Sequence, residues 1–128
     1  ASPALIPVGS PVRAADYSDY PLIQNAHRPD SWLRWLDTMG LSRARTISGP
    51  RFSQTSMVIE AACAGMGLAI VPTLMVTDAL TQGRLHMPFG PEVPSGLSYF
   101  VVYPLKRGVS KPVLDFRDWI VSEARKAP

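Results

Sequence analysis

Apolar and polar positions along this chain fall into short blocks whose period changes repeatedly, with proline and glycine between them. The opening run Ala4-Leu5-Ile6-Pro7-Val8, closed by Gly9-Ser10-Pro11, predicts a short strand. It is either fully buried or at a sheet edge, because Pro7 has no amide to donate to a ladder. Residues 12–29 read as irregular, since Asp16, Tyr17, Ser18, Asp19, Tyr20 and Pro21 discourage regular structure. From Asp30 the period becomes helical: Trp32, Trp35, Leu36 and Met39 recur at i, i+3, i+4 and i+7. The Asp30 carboxylate is placed to cap the first turn. Gly40 is placed to close the last turn in a left-handed cap, with Leu41 for the accompanying apolar contact. Arg45 to Ser48 reads as a short strand before the Gly49-Pro50 turn.

A second helix is predicted over residues 53–64, with an inner face of Met57, Val58, Ala61, Ala62 and Ala64. Such small side chains let a helix lie close to a sheet. Gly65 and Gly67 stop it, and Leu68-Ala69-Ile70-Val71 follows as a short buried strand. Pro72 opens a third helix, with Met75, Val76 and Ala79 inward and Gly83 at its end. Residues 84–89 lead into a proline- and glycine-rich connection, 88–96. Tyr99 to Tyr103 is aromatic and β-branched, hence a strand. A last helix is predicted from Lys111 to Arg125, capped by Ser110, with Val113, Phe116, Ile120 and Ala124 as its buried stripe. The resulting alternation of strands and helices predicts an α/β architecture with a mostly parallel sheet.

Hydrophobic residues make up 46% and charged residues 18%, which suits one compact domain or part of a larger one. The 13 basic residues exceed the 10 acidic ones by three, but they are scattered in pairs: Arg43 and Arg45, Lys106 and Arg107, Arg125 and Lys126. A nucleic-acid-binding surface concentrates such charge on one face, so these read as solvated surface. Cys63 is the single cysteine, which rules out an internal disulfide and suits a reducing compartment. No basic stretch followed by an apolar core opens the chain, and its apolar runs are too short to cross a bilayer. A soluble, cytoplasmic protein is the expectation.

The segment 49–89 adds a specific resemblance. Gly49-Pro50-Arg51-Phe52, the run Ala61-Ala62-Cys63-Ala64-Gly65-Met66-Gly67-Leu68-Ala69-Ile70-Val71-Pro72, then Gly83-Arg84-Leu85 and Pro88-Phe89, resemble the LysR-type transcriptional regulators. Tyr103-Pro104 with Phe116-Arg117-Asp118-Trp119-Ile120 fits the same family's last strand and helix. Arg28-Pro29-Asp30-Ser31-Trp32 resembles the branch of the glycine-cleavage and β-lactamase activators. The resemblance runs in order from Leu5 to Ala124. It implies a bacterial effector-sensing domain with the fold of the type II periplasmic binding proteins, two α/β subdomains joined by crossover strands. One subdomain is expected complete and the other only in its C-terminal part. Residues 1–11 are then the first crossover, 12–88 the effector-binding second subdomain, and 89–128 the second crossover with the part returning to the first subdomain. Nothing in the chain resembles the winged helix-turn-helix, the linker helix or the opening half of the first subdomain. The expectation is therefore a truncation or a standalone relative, reaching DNA only through the missing helix-turn-helix.

In such a fold a ligand is met by strand ends, helix N-termini and crossovers. Helix N-termini present free amides and partial positive charge, which suit a carboxylate. Ser53, Gln54, Thr55 and Ser56 set polar side chains beside such amides, and Ser10 is the polar group expected from the first crossover; the resemblance points to the same two places. The competing readings are that Ser53 caps the helix and Ser10 sits in a turn. Phe52 either forms an apolar wall or packs under the helix, and Tyr99 is either a ligand contact or core. Gly65-Met66-Gly67 follows a helix and precedes a strand, the reverse of a dinucleotide loop. Cys63 lies among alanines without a neighbouring histidine, which reads as an inert thiol. His27 and His86 stand alone, so no metal spacing and no catalytic constellation is apparent, and no cofactor is expected. The expected partners are a small effector, such as an amino acid or other carboxylate, and further copies of the chain. The alternatives are a solute-binding protein of the same fold, which needs an export signal, and an enzyme, which needs convergent titratable groups.

Overall fold

The computed structural model describes residues 1–41, 47–103 and 108–126. The expected strand at Arg45 to Ser48 and the pairs Arg43 and Arg45, Lys106 and Arg107 fall wholly or partly outside these residues. The chain divides into two compact units, Ala1–Ser95 and Gly96–Pro128.

The first unit is built on a parallel three-stranded sheet in the order β2-β1-β3, with β1 Leu22–Asn25 at its centre, β2 Arg51–Phe52 and β3 Leu68–Ala69. Helix α1 spans Ser31–Thr38, α2 Thr55–Cys63 and α3 Thr77–Thr81. Strand alternation divides the core between the two sheet faces. Ile23 packs with Val58, Ala61 and Ala62 of α2 and with Val76, Ala79 and Leu85. Leu22 and its neighbour Leu68 pack on the other face with Ile6, Tyr17, Trp32 and Leu36. Helix α1 is also pinned to the central strand, because the buried Trp32 indole N–H donates to the Ile23 carbonyl at 2.9 Å. This α/β arrangement with a parallel sheet is the expected fold class.

Two glycines allow the strands to approach. A Cβ on Gly49 would lie 2.6 Å from the Leu22 nitrogen, and one on Gly67 would lie 3.0 Å from the Pro21 carbonyl carbon and closer still to its oxygen. Helices α1, α2 and α3 end at the glycines that their sequences place there. Gly40, Gly65 and Gly83 have positive φ, and the residue after each donates to a carbonyl one turn back: Leu41 to Leu36, Met66 to Ala61, Arg84 to Ala79.

Several expectations are corrected. Residues 2–10 form hydrogen-bonded turns rather than a strand: Leu5 and Ile6 donate to Ser2 and Ser10 to Pro7, while prolines at 3, 7 and 11 remove the donors a ladder needs. Ile6 is nevertheless core, and the segment is fastened by a 2.6 Å hydrogen bond from the His86 imidazole to the Ile6 carbonyl. Residues 12–29 are not irregular. They hold a 3-10 helix, Ala14–Asp19, and the central strand itself. Asp30 stands at the N-cap of α1 but accepts from the Arg34 guanidinium instead of capping, which holds its carboxyl below the usual range. Helix α2 starts at Thr55, and Met57 and Ala64 are exposed, because the face toward the sheet runs through Val58, Ala61 and Ala62. Only Leu68–Ala69 of the predicted strand pairs with a neighbour. The third helix breaks into a 3-10 turn, Thr73–Met75, followed by α3.

In the second unit, helix α4 spans Lys111–Lys126, close to its expected bounds. The Ser110 carbonyl accepts from Val113 and Leu114. Arg117 donates to the Tyr103 hydroxyl at 3.0 Å and lies 5.8 Å from that ring's centre, tying residue 103 to the helix. Tyr99 to Tyr103 is not a strand among the described residues, since a strand requires a neighbouring ladder to satisfy its amides and carbonyls. The stripe expected to be buried on α4 is largely exposed, with Val113 at 42% and Phe116 at 57%.

Candidate functional site

The carboxyl ends of β1 and β2 and the beginning of α2 converge on one rim of the sheet. Asn25 and Phe52 are register partners, and the Ala26 amide donates to the Phe52 carbonyl at 2.8 Å, so the two strands leave the sheet side by side. Phe52 is followed by two exposed residues, Ser53 and Gln54, and then by α2. This is where an open parallel sheet leaves backbone polar groups and helix N-termini free for a ligand.

Gln54 holds the N-cap position in extended conformation, and no side chain caps the helix. The first intrahelical bond runs from the Val58 amide to the Gln54 carbonyl at 3.2 Å. The amides of Thr55, Ser56 and Met57 therefore have no acceptor among the described residues. With the helix dipole they make this end of α2 a donor surface.

Sequence reasoning missed Asn25. It is only 6% exposed at the end of β1, its Nδ2 donates to Thr55 Oγ1 at 3.0 Å, and its Oδ1 accepts from the His27 amide at 3.0 Å. Its one available signal was a polar residue closing the apolar pair Leu22-Ile23, inside a segment read as irregular.

The structure brings Phe52, Ser53, Gln54, Thr55 and Ser56 together on this rim. Ser53, Gln54 and Ser56 are exposed and Thr55 is half-buried. Ser53 lies one residue ahead of the N-cap, which sets aside its capping role. Phe52 is half-buried against the core under α2. Ser10 is half-buried in a turn, its amide bonded to Pro7 and its carbonyl to Val12. Tyr99 is exposed in the second unit. Among the described residues no group of three or more His, Cys, Asp and Glu side chains is arranged to hold a metal ion. No helix among them is long and apolar enough to cross a membrane.

Comparison with known proteins agrees with this architecture. Residues 1–125 match the family model of the LysR substrate binding domain. The glycine cleavage system transcriptional activator of Escherichia coli K12 is 29% identical over 124 residues, covering 96% of this chain and 40% of that protein. The HTH-type transcriptional regulator TrpI of Pseudomonas aeruginosa is 39% identical over 77 residues, covering 60% of this chain and 26% of that protein. The crystal structure of the effector domain of the transcriptional regulator AmpR from Pseudomonas aeruginosa superposes with a TM-score of 0.75 at 29% identity, covering 89% of this chain and 55% of that one. The chain thus spans less than half the length of these full-length relatives. With a family model matched almost from end to end and a fold shared with an effector domain, this chain belongs to the LysR substrate-binding-domain family.

Proposed function

We propose that this chain is the sensory part of a bacterial, cytoplasmic LysR-type regulator, and that a small effector with a carboxylate docks on the rim at the start of α2. The observation that carries the reading is the uncapped α2 N-terminus at the carboxyl ends of two parallel strands, with three free amides beside the side chains of Ser53, Thr55 and Ser56. Residues 12–88 supply the binding subdomain in this reading, with Phe52 as apolar support. Ser10 adds a contact from the first crossover. Residues 89–128 are the second crossover and the part returning to the other subdomain in this reading. Binding biases transcription through helix-turn-helix domains of the intact regulator, because an effector that prefers one arrangement of the assembly shifts the population toward it. No catalytic step is required.

The test is calorimetric titration of amino acids and short carboxylic acids into the protein and into Ser56→Asp. The new carboxylate competes for the same amides while suiting the helix dipole, so folding is preserved. A ligand that binds the unmodified protein should lose at least about tenfold in affinity, the equivalent of one charge-assisted hydrogen bond. Undiminished binding to Ser56→Asp would remove the effector from this rim.

A further inference from the structure

Along the chain His86 stands alone, but in the structure its ring joins a segment 80 residues away. Its backbone and residue 1 exchange two hydrogen bonds. The His86 amide donates to the Ala1 carbonyl at 2.8 Å, and the Ala1 nitrogen donates to the His86 carbonyl at 3.0 Å. The ring then reaches Ile6, with Nε2 2.6 Å from the carbonyl oxygen. A carbonyl only accepts, so Nε2 carries the proton and the ring is the donor. This donor meets a need that the backbone leaves open. Ile6 is core, yet among the described residues no backbone amide donates to its carbonyl, and Pro3, Pro7 and Pro11 have none to give. Either side of His86 is anchored as well. Leu85 is buried with Val58 and Ala62 of α2, and Phe89 packs against the cluster that contains Ile6, its ring 5.7 Å from that of Trp35.

We infer that His86 is a clasp: it locks residues 1–6 to residues 84–89, so that the two segments release only together. A backbone bridge at one residue pair leaves a segment free to turn about it, and the ring's second attachment at Ile6 removes that freedom. Under the placement given in Proposed function, on which this role in the regulator rests, the segments are the first crossover and the approach to the second. Both connections of the effector-binding subdomain are then one fastened pair, and a displacement of either is carried to the other.

The experiment is residue-resolved amide hydrogen exchange on the whole chain, unmodified and as His86→Phe and His86→Gln. In the unmodified protein the Leu5, Ile6 and His86 amides should show the same protection within about threefold, because one opening event releases them. Phenylalanine keeps the ring and removes the donor, so these three positions should exchange roughly tenfold faster, the effect of a buried carbonyl left without its partner. The Leu68 amide, which reports the sheet, should change far less. Glutamine, whose side-chain NH2 also donates, should restore most of the protection. Without any variant, the nitrogen spectrum of the neutral ring should place its proton on Nε2. A proton on Nδ1, unlinked protection of Ile6 and His86, no acceleration in His86→Phe, equal acceleration in both variants, or as large an effect at Leu68 would each overturn the clasp. The calorimetric titration into Ser56→Asp reads the rim alone, so failure of the effector site and failure of the clasp are told apart.

Discussion

Replacing Gly67 with alanine tests whether the sheet is held together as described. Gly67 has φ +159°, a conformation that L residues rarely adopt, and an added Cβ would lie 3.0 Å from the Pro21 carbonyl carbon and 3.2 Å from Ile23 Cγ1. The Pro21 carbonyl accepts the Leu68 amide at 2.8 Å, so the strand cannot move aside without losing the bond that starts β3 against β1. Backbone strain of this kind costs about 1–3 kcal/mol, and the lost hydrogen bond about 1 kcal/mol more. The expected total is about 3 kcal/mol, a large part of the roughly 5–15 kcal/mol that stabilises a domain. Gly83→Ala is the control. Gly83 also has positive φ, +69°, but nothing lies within 4 Å of its Cβ position. Only the left-handed penalty of about 1–2 kcal/mol applies there. Urea unfolding followed by the fluorescence of Trp32 and Trp35 gives both values. Gly67→Ala should be the less stable by about 2 kcal/mol. Equal losses within about 0.5 kcal/mol, the ordinary scatter of neutral substitutions, would refute the close approach of β3 to β1.

Two further outcomes are expected. Trp32→Phe removes the indole N–H that α1 donates to the Ile23 carbonyl and should destabilise the protein by about 1–3 kcal/mol, measured in the same assay; a loss below about 0.5 kcal/mol would show that the bond is dispensable. The second unit leaves Phe100 82%, Val102 87%, Phe116 57% and Trp119 57% exposed, more apolar surface than a solitary unit normally leaves to water. Sedimentation should therefore show species heavier than the 14.0 kDa chain as concentration rises, and a lone 14.0 kDa species throughout would contradict self-association.

The legibility of this fold varied with the length and periodicity of each element. Helix α1 was readable because Trp32 and Leu36 recur at helical spacing and Gly40-Leu41 forms the stop. Helix α2 was readable from its alanines, but its start was not, since Ser53 and Thr55 have equal claims to a cap and only the backbone places Gln54 there. The central strand was invisible. Leu22 and Ile23 are buried on opposite faces, so the segment shows no alternation, and four residues after Pro21 are too few for a pattern. Missing that strand also concealed Asn25, whose role depends on β1 ending beside α2. Tyr99 to Tyr103 shows the opposite error: its composition favours a strand, but a strand forms only where another ladder receives it. The rim residues Phe52 to Ser56 were found through local chemistry and the family resemblance together. Their convergence with the end of β1 depends on tertiary pairing that no single segment encodes.

The most direct test of the central claim is to follow every backbone amide while titrating whichever amino acid or short carboxylate calorimetry shows to bind. Effector docking on the rim predicts that the largest shifts fall on Thr55, Ser56 and Met57, with His27 responding through Asn25. Saturable shifts confined to residues elsewhere, with these four unmoved, would contradict it.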